Sequence, residues 1–276
     1  MFREFHHQAR GQGHLKDGTS GQDRTGYLSR GGVQAMCLAD GAGSASHSEH
    51  GAEALVYEGC KMLAERFTDF VTSDDGPQVK LDILQCLRDR LKVTAGRREC
   101  ELGDLAATFL AVAVSGNRFV IVHVGDGVIG YVKNGELRVA SAPDNDEFAN
   151  TTTFVTSRDA ASRMRLARGS LDGVSGFVLM SDGTASSLYN WSTKELTPAC
   201  AKLVSLVGSA PTRQVNNPAH HKYLRKFIDT RIRGATKDDC SIGILGRRLA
   251  PASMLAAGEV AWPRRGDQPE PARARR

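Results

Sequence analysis

Three times in this chain an apolar, strand-like run ends in Asp-Gly. Residues 35–39 lead into Asp40-Gly41, residues 119–124 pass through Gly125 into Asp126-Gly127, and residues 177–180 pass through Ser181 into Asp182-Gly183. A fourth acidic pair, Asp238-Asp239, stands immediately before a fourth such run, residues 240–245. A fold that lays buried strands of this kind side by side gathers their terminal carboxylates at one edge of a sheet. Carboxylates held together in a partly dry place are costly unless something compensates them, and metal ions are the usual compensation. All-oxygen donors suit a hard cation, Mg²⁺ or Mn²⁺.

Asp-Gly is also a preferred two-residue hairpin turn, but that reading requires a strand directly after the glycine. One follows Asp126-Gly127, at residues 128–132, so both readings stand there. After Asp40-Gly41 comes Ala42-Gly43-Ser44-Ala45-Ser46, and after Asp182-Gly183 comes Thr184-Ala185-Ser186-Ser187-Leu188. Neither is strand-like, and the ligand reading leads at both.

The length of 276 residues allows one large domain or two small ones. Cysteines 37, 60, 86, 100, 200 and 240 are scattered, with no Cys-x-x-Cys, and several sit inside apolar runs. They read as buried thiols of an intracellular protein, not as a disulfide frame or zinc site. No run approaches a membrane span and the first residues do not form a signal peptide, so a cytoplasmic protein is expected. Of the net charge of +5, residues 263–276 contribute +3, with five Arg against Asp267 and Glu270. This Pro/Arg-rich end has no apolar pattern and reads as a disordered tail, 249–276, after a domain spanning 1–248. Without aromatic interleaving or a nucleic-acid-binding fold, a solvated end outweighs contact with nucleic acid. A second basic stretch, residues 213–237, carries seven Lys/Arg against Asp229. It reads as the polar face of a helix, with some capacity to attract a phosphorylated partner.

Residues 2–13 alternate weakly, as an edge strand does. Apolar residues at 52, 56, 60, 63, 67 and 70 and at 79, 83, 87 and 91 give two amphipathic helices, the first opened by a capping box of Ser46 and Glu49. Strands follow at 105–114, 119–124, 128–132 and 137–140, the last two joined by Asn134-Gly135, and together they predict an antiparallel meander. A strand is expected at 151–156, helices at about 192–207 and 218–231, and a last strand at 240–245. This order lacks a repeating βαβ series and predicts an α+β fold, antiparallel sheet flanked by helices.

The order of these pieces resembles the metal-dependent Ser/Thr protein phosphatases, the protein phosphatase 2C (PPM) family, over roughly residues 10–246. The matching residues are Gln22-Asp23, Asp40-Gly41-Ala42-Gly43-Ser44 with Gly51-Ala52, Gly103-Asp104-Leu105-Ala106-Ala107-Thr108, Gly125-Asp126-Gly127, Ser181-Asp182-Gly183 and Asp238-Asp239. Gln-Asp, Asp-Gly-Ala-Gly-Ser and the segment 147–152 make it similar to a divergent bacterial branch. The resemblance implies a central antiparallel β-sandwich with helices on both faces and two Mn²⁺ or Mg²⁺ ions at one end. Asp40 would bridge both ions, Asp182 and Asp238 would complete one site, and the Gly41 carbonyl and Asp23 would serve the other. Asp126 would belong to a third, weaker site. The implied activity is hydrolysis of phospho-Ser/Thr in proteins through a metal-bridging water, with Asp40, Asp182 and Asp238 as the catalytic set. The implied partner is a phosphorylated substrate, a Ser/Thr kinase or its target, met by a monomer.

The chain departs from the family pattern in ways that support a second reading, a weak or inactive phosphatase-like domain that binds a phosphorylated partner. Gln22 stands where Glu is usual, and an amide brings no charge. Gly18 replaces the Arg that grips phosphate, leaving that role open among His14, Lys16 and Arg24. Ala42 replaces a His, and Val128 an Arg. His47 and His50 read as solvated residues at a helix start, and His123 as a packed strand residue. Retention of Asp40, Asp182 and Asp238 favours the enzyme, because a binding module has no need of three costly carboxylates.

Overall fold

Two five-stranded antiparallel sheets lie face to face in the computed structural model, which describes residues 1–143, 152–211 and 218–249. One sheet runs β2 (Arg24–Arg30), β3 (Val33–Ala39), β4 (Phe109–Ser115), β5 (Arg118–Val124), β8 (Arg165–Ser170). The other runs β1 (Arg3–Ala9), β12 (Cys240–Gly246), β9 (Val174–Met180), β6 (Val128–Lys133), β7 (Glu136–Ser141). A small ribbon pairs β10 (Tyr189–Asn190) with β11 (Glu195–Leu196). Short helix α1 (Gln12–Asp17) follows β1, and α4 (Ala160–Arg163) precedes β8. Long helices α2 (Ser48–Thr72) and α3 (Gly76–Arg98) cover one sheet, and α5 (Asp182–Leu188), α6 (Pro198–Gly208) and α7 (Pro218–Phe227) cover the other.

Strand β3 shows why the apolar runs are continuous. Its odd residues Ala35, Cys37 and Ala39 pack under α2, while Met36 and Leu38 face the other sheet. All seven of its residues are buried, and its one polar side chain, Gln34, is satisfied by exchanging hydrogen bonds with the Phe2 backbone at 3.0 Å. The sandwich interior is filled by Phe2, Met36, Leu110, Val112, Phe177 and Leu179. The helix break between α2 and α3 is sharpened by Asp75, whose carboxylate accepts the Gln78 N–H at 2.9 Å, with Pro77 in the first turn.

Several expectations are corrected. The four middle strands are not one meander: β4–β5 belong to one sheet and β6–β7 to the other, so the chain changes sheets at Gly125-Asp126-Gly127. The strand predicted at 105–114 starts at Phe109, after a 3₁₀ turn over Leu102–Leu105. Ser46 and Glu49 form no capping box, since α2 begins at Ser48 with His47 in the cap position and no side-chain cap bond. Residues 152–156 form no strand, and the helix expected at 192–207 starts at Pro198, because the ribbon β10–β11 comes first. The last helix passes at Ile228–Ile232 into a π-helical turn. Strands β2 and β8 and helices α1 and α5 were not anticipated. The segment 147–152, apart from Thr152, and the tail beyond Leu249 lie outside the described residues. Among the described residues no helix is long and apolar enough to cross a membrane.

Candidate metal centre

The registers bring the acidic strand ends to one edge of the sandwich. Arg24 pairs with Ala39, Phe109 with Val124, and Met180 with both Val128 and Ile242. Asp23 and Asp40 stand immediately outside those pairs, Asp126 and Asp182 one residue further on, and Asp238-Asp239 just before β12. The end of β3 is tied to the start of β4 from both sides. The Asp40 N–H donates to Thr108 Oγ1 at 2.9 Å, and the Thr108 N–H donates to the Asp40 carbonyl at 2.8 Å.

The Asp-Gly glycines are not hairpin turns. A type I′ turn needs positive φ at both central residues, and Gly41, Gly127 and Gly183 all lack it, whereas Asn134 and Gly135 have φ of 53° and 82°. Glycine is required here by close approach. A Cβ on Gly41 would lie 2.8 Å from the Ser48 side chain, and one on Gly183 would lie 2.1 Å from the Asp239 carbonyl oxygen. The small residue lets α2 and β12 press against the strand ends that carry the acids.

Asp40 lies between Asp23 and Asp182, and the electrostatics of the three show the strain of that arrangement. Burial lifts the Asp23 carboxyl to about 7; the neighbouring Asp40 carboxyl draws it back, and the charge of Asp239 adds to the rise. Burial, then the charges of Asp23 and Asp182, push Asp40 well above the usual carboxylate range. Asp182 is raised by burial, then by Asp126 and Asp238. The field reaches Cys240, whose thiol is pushed up to about 12 by burial and the same acids. Asp238 is exposed at the rim, and its carboxylate accepts the Asp239 N–H at 2.8 Å. Asp126 accepts a 2.5 Å hydrogen bond from the Thr152 hydroxyl.

The donors fit a hard divalent ion. Both carboxylate oxygens of Asp23 are buried without a hydrogen-bond partner among the described residues, as are the hydroxyls of Ser48, Thr184 and Ser241 around the same strand ends. Ser181 and Ser241 hydroxyls approach Asp23 without reaching hydrogen-bond geometry. Unpartnered buried oxygens concentrated in one place are what an ion and its waters satisfy. Among the described residues no three His, Cys, Asp or Glu side chains are already closed around one point. Asp40 lies between Asp23 and Asp182 with raised proton affinity, and Asp238 is turned to its own neighbour's N–H.

The sequence reading did not anticipate the role of Asp239. It is the buried member of its pair, 3% exposed. Its Oδ1 accepts from the Gly11 N–H at 2.6 Å and meets His14 Nδ1 at 3.0 Å, and its Oδ2 accepts from the N–H groups of Gln22 at 2.5 Å and Asp23 at 3.3 Å. The carboxylate thereby holds the Gln22-Asp23 turn against β12. A doubled Asp before a strand was the available signal, but nothing in it says which member faces inward. The phosphate-gripping candidates are largely engaged elsewhere. His14 is bound to Asp239, and Arg24 Nη1 donates to the carbonyls of Gly21 and Asp23 at 2.8 Å. Lys16 is exposed on α1. His50 lies 3.2 Å from Arg98, away from the carboxylates, and His123 is buried with its Nδ1 2.6 Å from Ser141 Oγ. A pocket of about 390 Å³ opens onto Asp23 and Asp239 between Arg10, Ser20 and Arg24.

The family model described as protein phosphatase 2C matches residues 10–227. Serine/threonine-protein phosphatase 3 of Escherichia coli (strain K12) is 32% identical over 133 residues, covering 46% of this chain and 50% of that protein. The chain thus spans about half the length of that curated relative. Among solved structures, a bacterial serine phosphatase superposes with a TM-score of 0.61 at 15% identity, covering 91% of this chain and 100% of the other. The catalytic domain of the phosphatase PstP, solved in complex with two manganese ions, superposes with a TM-score of 0.58 at 18% identity, covering 89% and 97%. At these identities the structural likeness carries the fold.

Proposed function

The chain belongs to the protein phosphatase 2C family, and we propose that it is a Mn²⁺- or Mg²⁺-dependent phosphatase removing phosphate from Ser and Thr side chains of a phosphoprotein. The observation that carries this reading is the chain of acids Asp23, Asp40 and Asp182, all with raised proton affinities, together with the unpartnered buried oxygens of Asp23. A scaffold that sets Asp40 between the charges of Asp23 and Asp182 forgoes stability for them, which a purely structural edge does not require. Asp40, Asp182 and Asp238 would hold one ion, and Asp40, Asp23 and the Gly41 carbonyl a second, with Asp126 peripheral. A divalent ion bound there supplies Lewis acidity and lowers the pKa of water toward neutrality.

The chain's own residues do the rest. The Thr108–Asp40 pair of hydrogen bonds fixes the backbone that presents Asp40, and Asp239 fixes the turn that presents Asp23. Hydrolysis forms a bond from water oxygen to phosphorus and breaks the bond to the Ser or Thr oxygen, which leaves as the alcohol after taking a proton. No cysteine is needed as a nucleophile: Cys240, beside the cluster, is held as the thiol by burial and surrounding negative charge. A phosphorylated Ser/Thr kinase or kinase target fits as partner, for a monomer working in the cytoplasm. The deciding measurement is turnover of p-nitrophenyl phosphate and of phosphoserine peptides by purified protein with Mn²⁺, Mg²⁺ or EDTA. Metal-dependent turnover abolished by Asp182→Asn is expected. Its absence on every substrate, with the phosphopeptide still captured intact, would replace the enzyme with the binding domain.

A further inference from the structure

Three arginines of α3 form no ion pair among the described residues, although Glu53 of α2 stands in the wall of the pocket they line. Arg90, Arg97 and Arg98 of α3, with His50, Glu53 and Tyr57 of α2, line a pocket of about 250 Å³. Among the described residues none of the three guanidinium groups forms an ion pair, whereas Arg30, Arg66, Arg138 and Arg163 each meet an acid at 2.6–3.3 Å. The Arg90 guanidinium is stacked over the Tyr57 ring, 5.1 Å from its centroid, and its Nε is buried without a hydrogen-bond partner among the described residues. Arg98 is held by a 3.2 Å contact to His50 Nδ1. Arg97 and Arg98 lie in the last turn of α3, where they complement the helix dipole, but that leaves their outer N–H groups unused. Planar donors clustered around one pocket, with one orphaned in its wall, match a carboxylate or phosphoryl oxyanion.

The pocket is also connected to the carboxylate cluster. Glu53 and Tyr57 line both it and a groove of about 620 Å³ between β2 and α2. Gln8 and Arg24 line both that groove and the pocket that opens onto Asp23 and Asp239. The groove runs beside β2, an edge strand with no strand paired to its outer side among the described residues, where Gln8 accepts the Thr25 N–H at 2.8 Å. Tyr57, 60% exposed, stands between groove and pocket as a large flat contact.

We infer that the arginine pocket is a docking subsite for an acidic or phosphorylated side chain of the phosphoprotein substrate, on the segment flanking the residue to be dephosphorylated. This rests on the phosphatase reading of the carboxylate cluster and gives that cluster a substrate preference: phosphoproteins with acidic surroundings, drawn along the groove from Arg24 to Arg90.

The test uses the full chain and the variant Arg90→Gln/Arg97→Gln/Arg98→Gln, whose changed residues touch none of the metal-centre acids. KM for a phosphoserine peptide flanked by glutamates should rise about tenfold, the size typical of a lost charged contact. Its kcat, the turnover of p-nitrophenyl phosphate, and KM for the same peptide with glutamines in place of glutamates should not change. An unchanged KM for the acidic peptide, or an equal rise for the neutral one, overturns the subsite. A second arm needs no catalysis. A fluorescein-labelled glutamate peptide without phosphoserine, titrated in EDTA, should bind wild type and lose at least most of that binding in the variant. Loss of binding in a protein without turnover would leave the subsite standing and remove the enzyme. Equal binding by both proteins would remove the subsite and leave the enzyme untouched.

Discussion

Asp182 incurs opposite effects on stability and activity, and its substitution should separate them. Its carboxyl is raised by burial and by Asp126 and Asp238, so in metal-free protein the charge is a liability. Asp182→Asn should lower turnover by about 100-fold or more, the scale of losing one electrostatic contributor to the transition state. It should also raise the unfolding midpoint of metal-free protein by about 2–4 °C, equivalent to relieving ~1 kcal/mol. Calorimetry with EDTA alongside the phosphatase assay reads both, and a lower midpoint would contradict the repulsion. Asp239 predicts the reverse pattern. Its removal leaves the Gly11, Gln22 and Asp23 N–H groups without their acceptor, so Asp239→Ala should cost about 3 kcal/mol or more in urea unfolding. Asp23 sets a pH window. Its carboxyl holds its proton to about 7 in the fold against 3.8 when free. Between those values the unfolded chain has released a proton that the folded chain keeps, so this group lowers stability as pH rises from about 4 to about 7. Metal-free Asp23→Asn should therefore gain on wild type steadily across that window, as thermal melts at a series of pH values would record. A constant difference would refute it. At this scale Asp40 and Asp182 were legible because carboxylates abutting apolar runs are conspicuous, whereas Asp23, in a polar loop, entered only through the family resemblance. Asp239 was not, because two adjacent acids have the same chemistry until the backbone turns one of them inward.

Helix α2 shows packing overriding propensity. Gly59 lies inside it, where alanine is favoured by about 1 kcal/mol in isolation. A Cβ there would lie 2.4 Å from the Phe109 ring on β4. Gly59→Ala should therefore destabilise by about 1–3 kcal/mol through overpacking, visible as a lower urea midpoint at unchanged slope. A gain in stability would mean that helix and sheet can separate freely. The elements that sequence revealed are those whose neighbours only had to be apolar. Helices α2 and α3 declared themselves by a 3.6-residue period, and β3, β4, β5, β9 and β12 by unbroken apolar runs. Strand β8, Arg-Leu-Ala-Arg-Gly-Ser, has too few apolar residues to declare itself and exists because β5 offers it a free edge. The middle strands looked like one meander because local pairing signals cannot say whether β6 turns back onto β5 or crosses to the other sheet. Gly125, with φ of +124°, makes the crossing.

At the scale of the whole molecule, the two sheets close around an acidic edge that divalent ions should stabilise. Mn²⁺ at about a hundred times its dissociation constant should add about 2.7 kcal/mol to unfolding, reversible by EDTA. A midpoint indifferent to Mn²⁺ would remove the metal centre. Near the end of the described chain, Arg247 donates to the Val174 and Leu171 carbonyls and stacks on Phe2, and Arg248 donates to the Ser209 carbonyl at 3.4 Å. A chain ending at Leu249 should thus keep its melting midpoint and its turnover of p-nitrophenyl phosphate, and loss of either would assign the Pro/Arg-rich end a role in the domain. The sequence by itself determined that apolar strands would be buried, that acids would stand at their ends, and that the donor set would be hard oxygen. These follow from residue type and from the local periods of helix and strand. The tertiary structure alone decided which acids meet, that Asp239 clamps while Asp238 faces the rim, and that the Asp-Gly glycines serve close packing. Those outcomes depend on register and sheet exchange between residues far apart in the chain, and no local propensity encodes them.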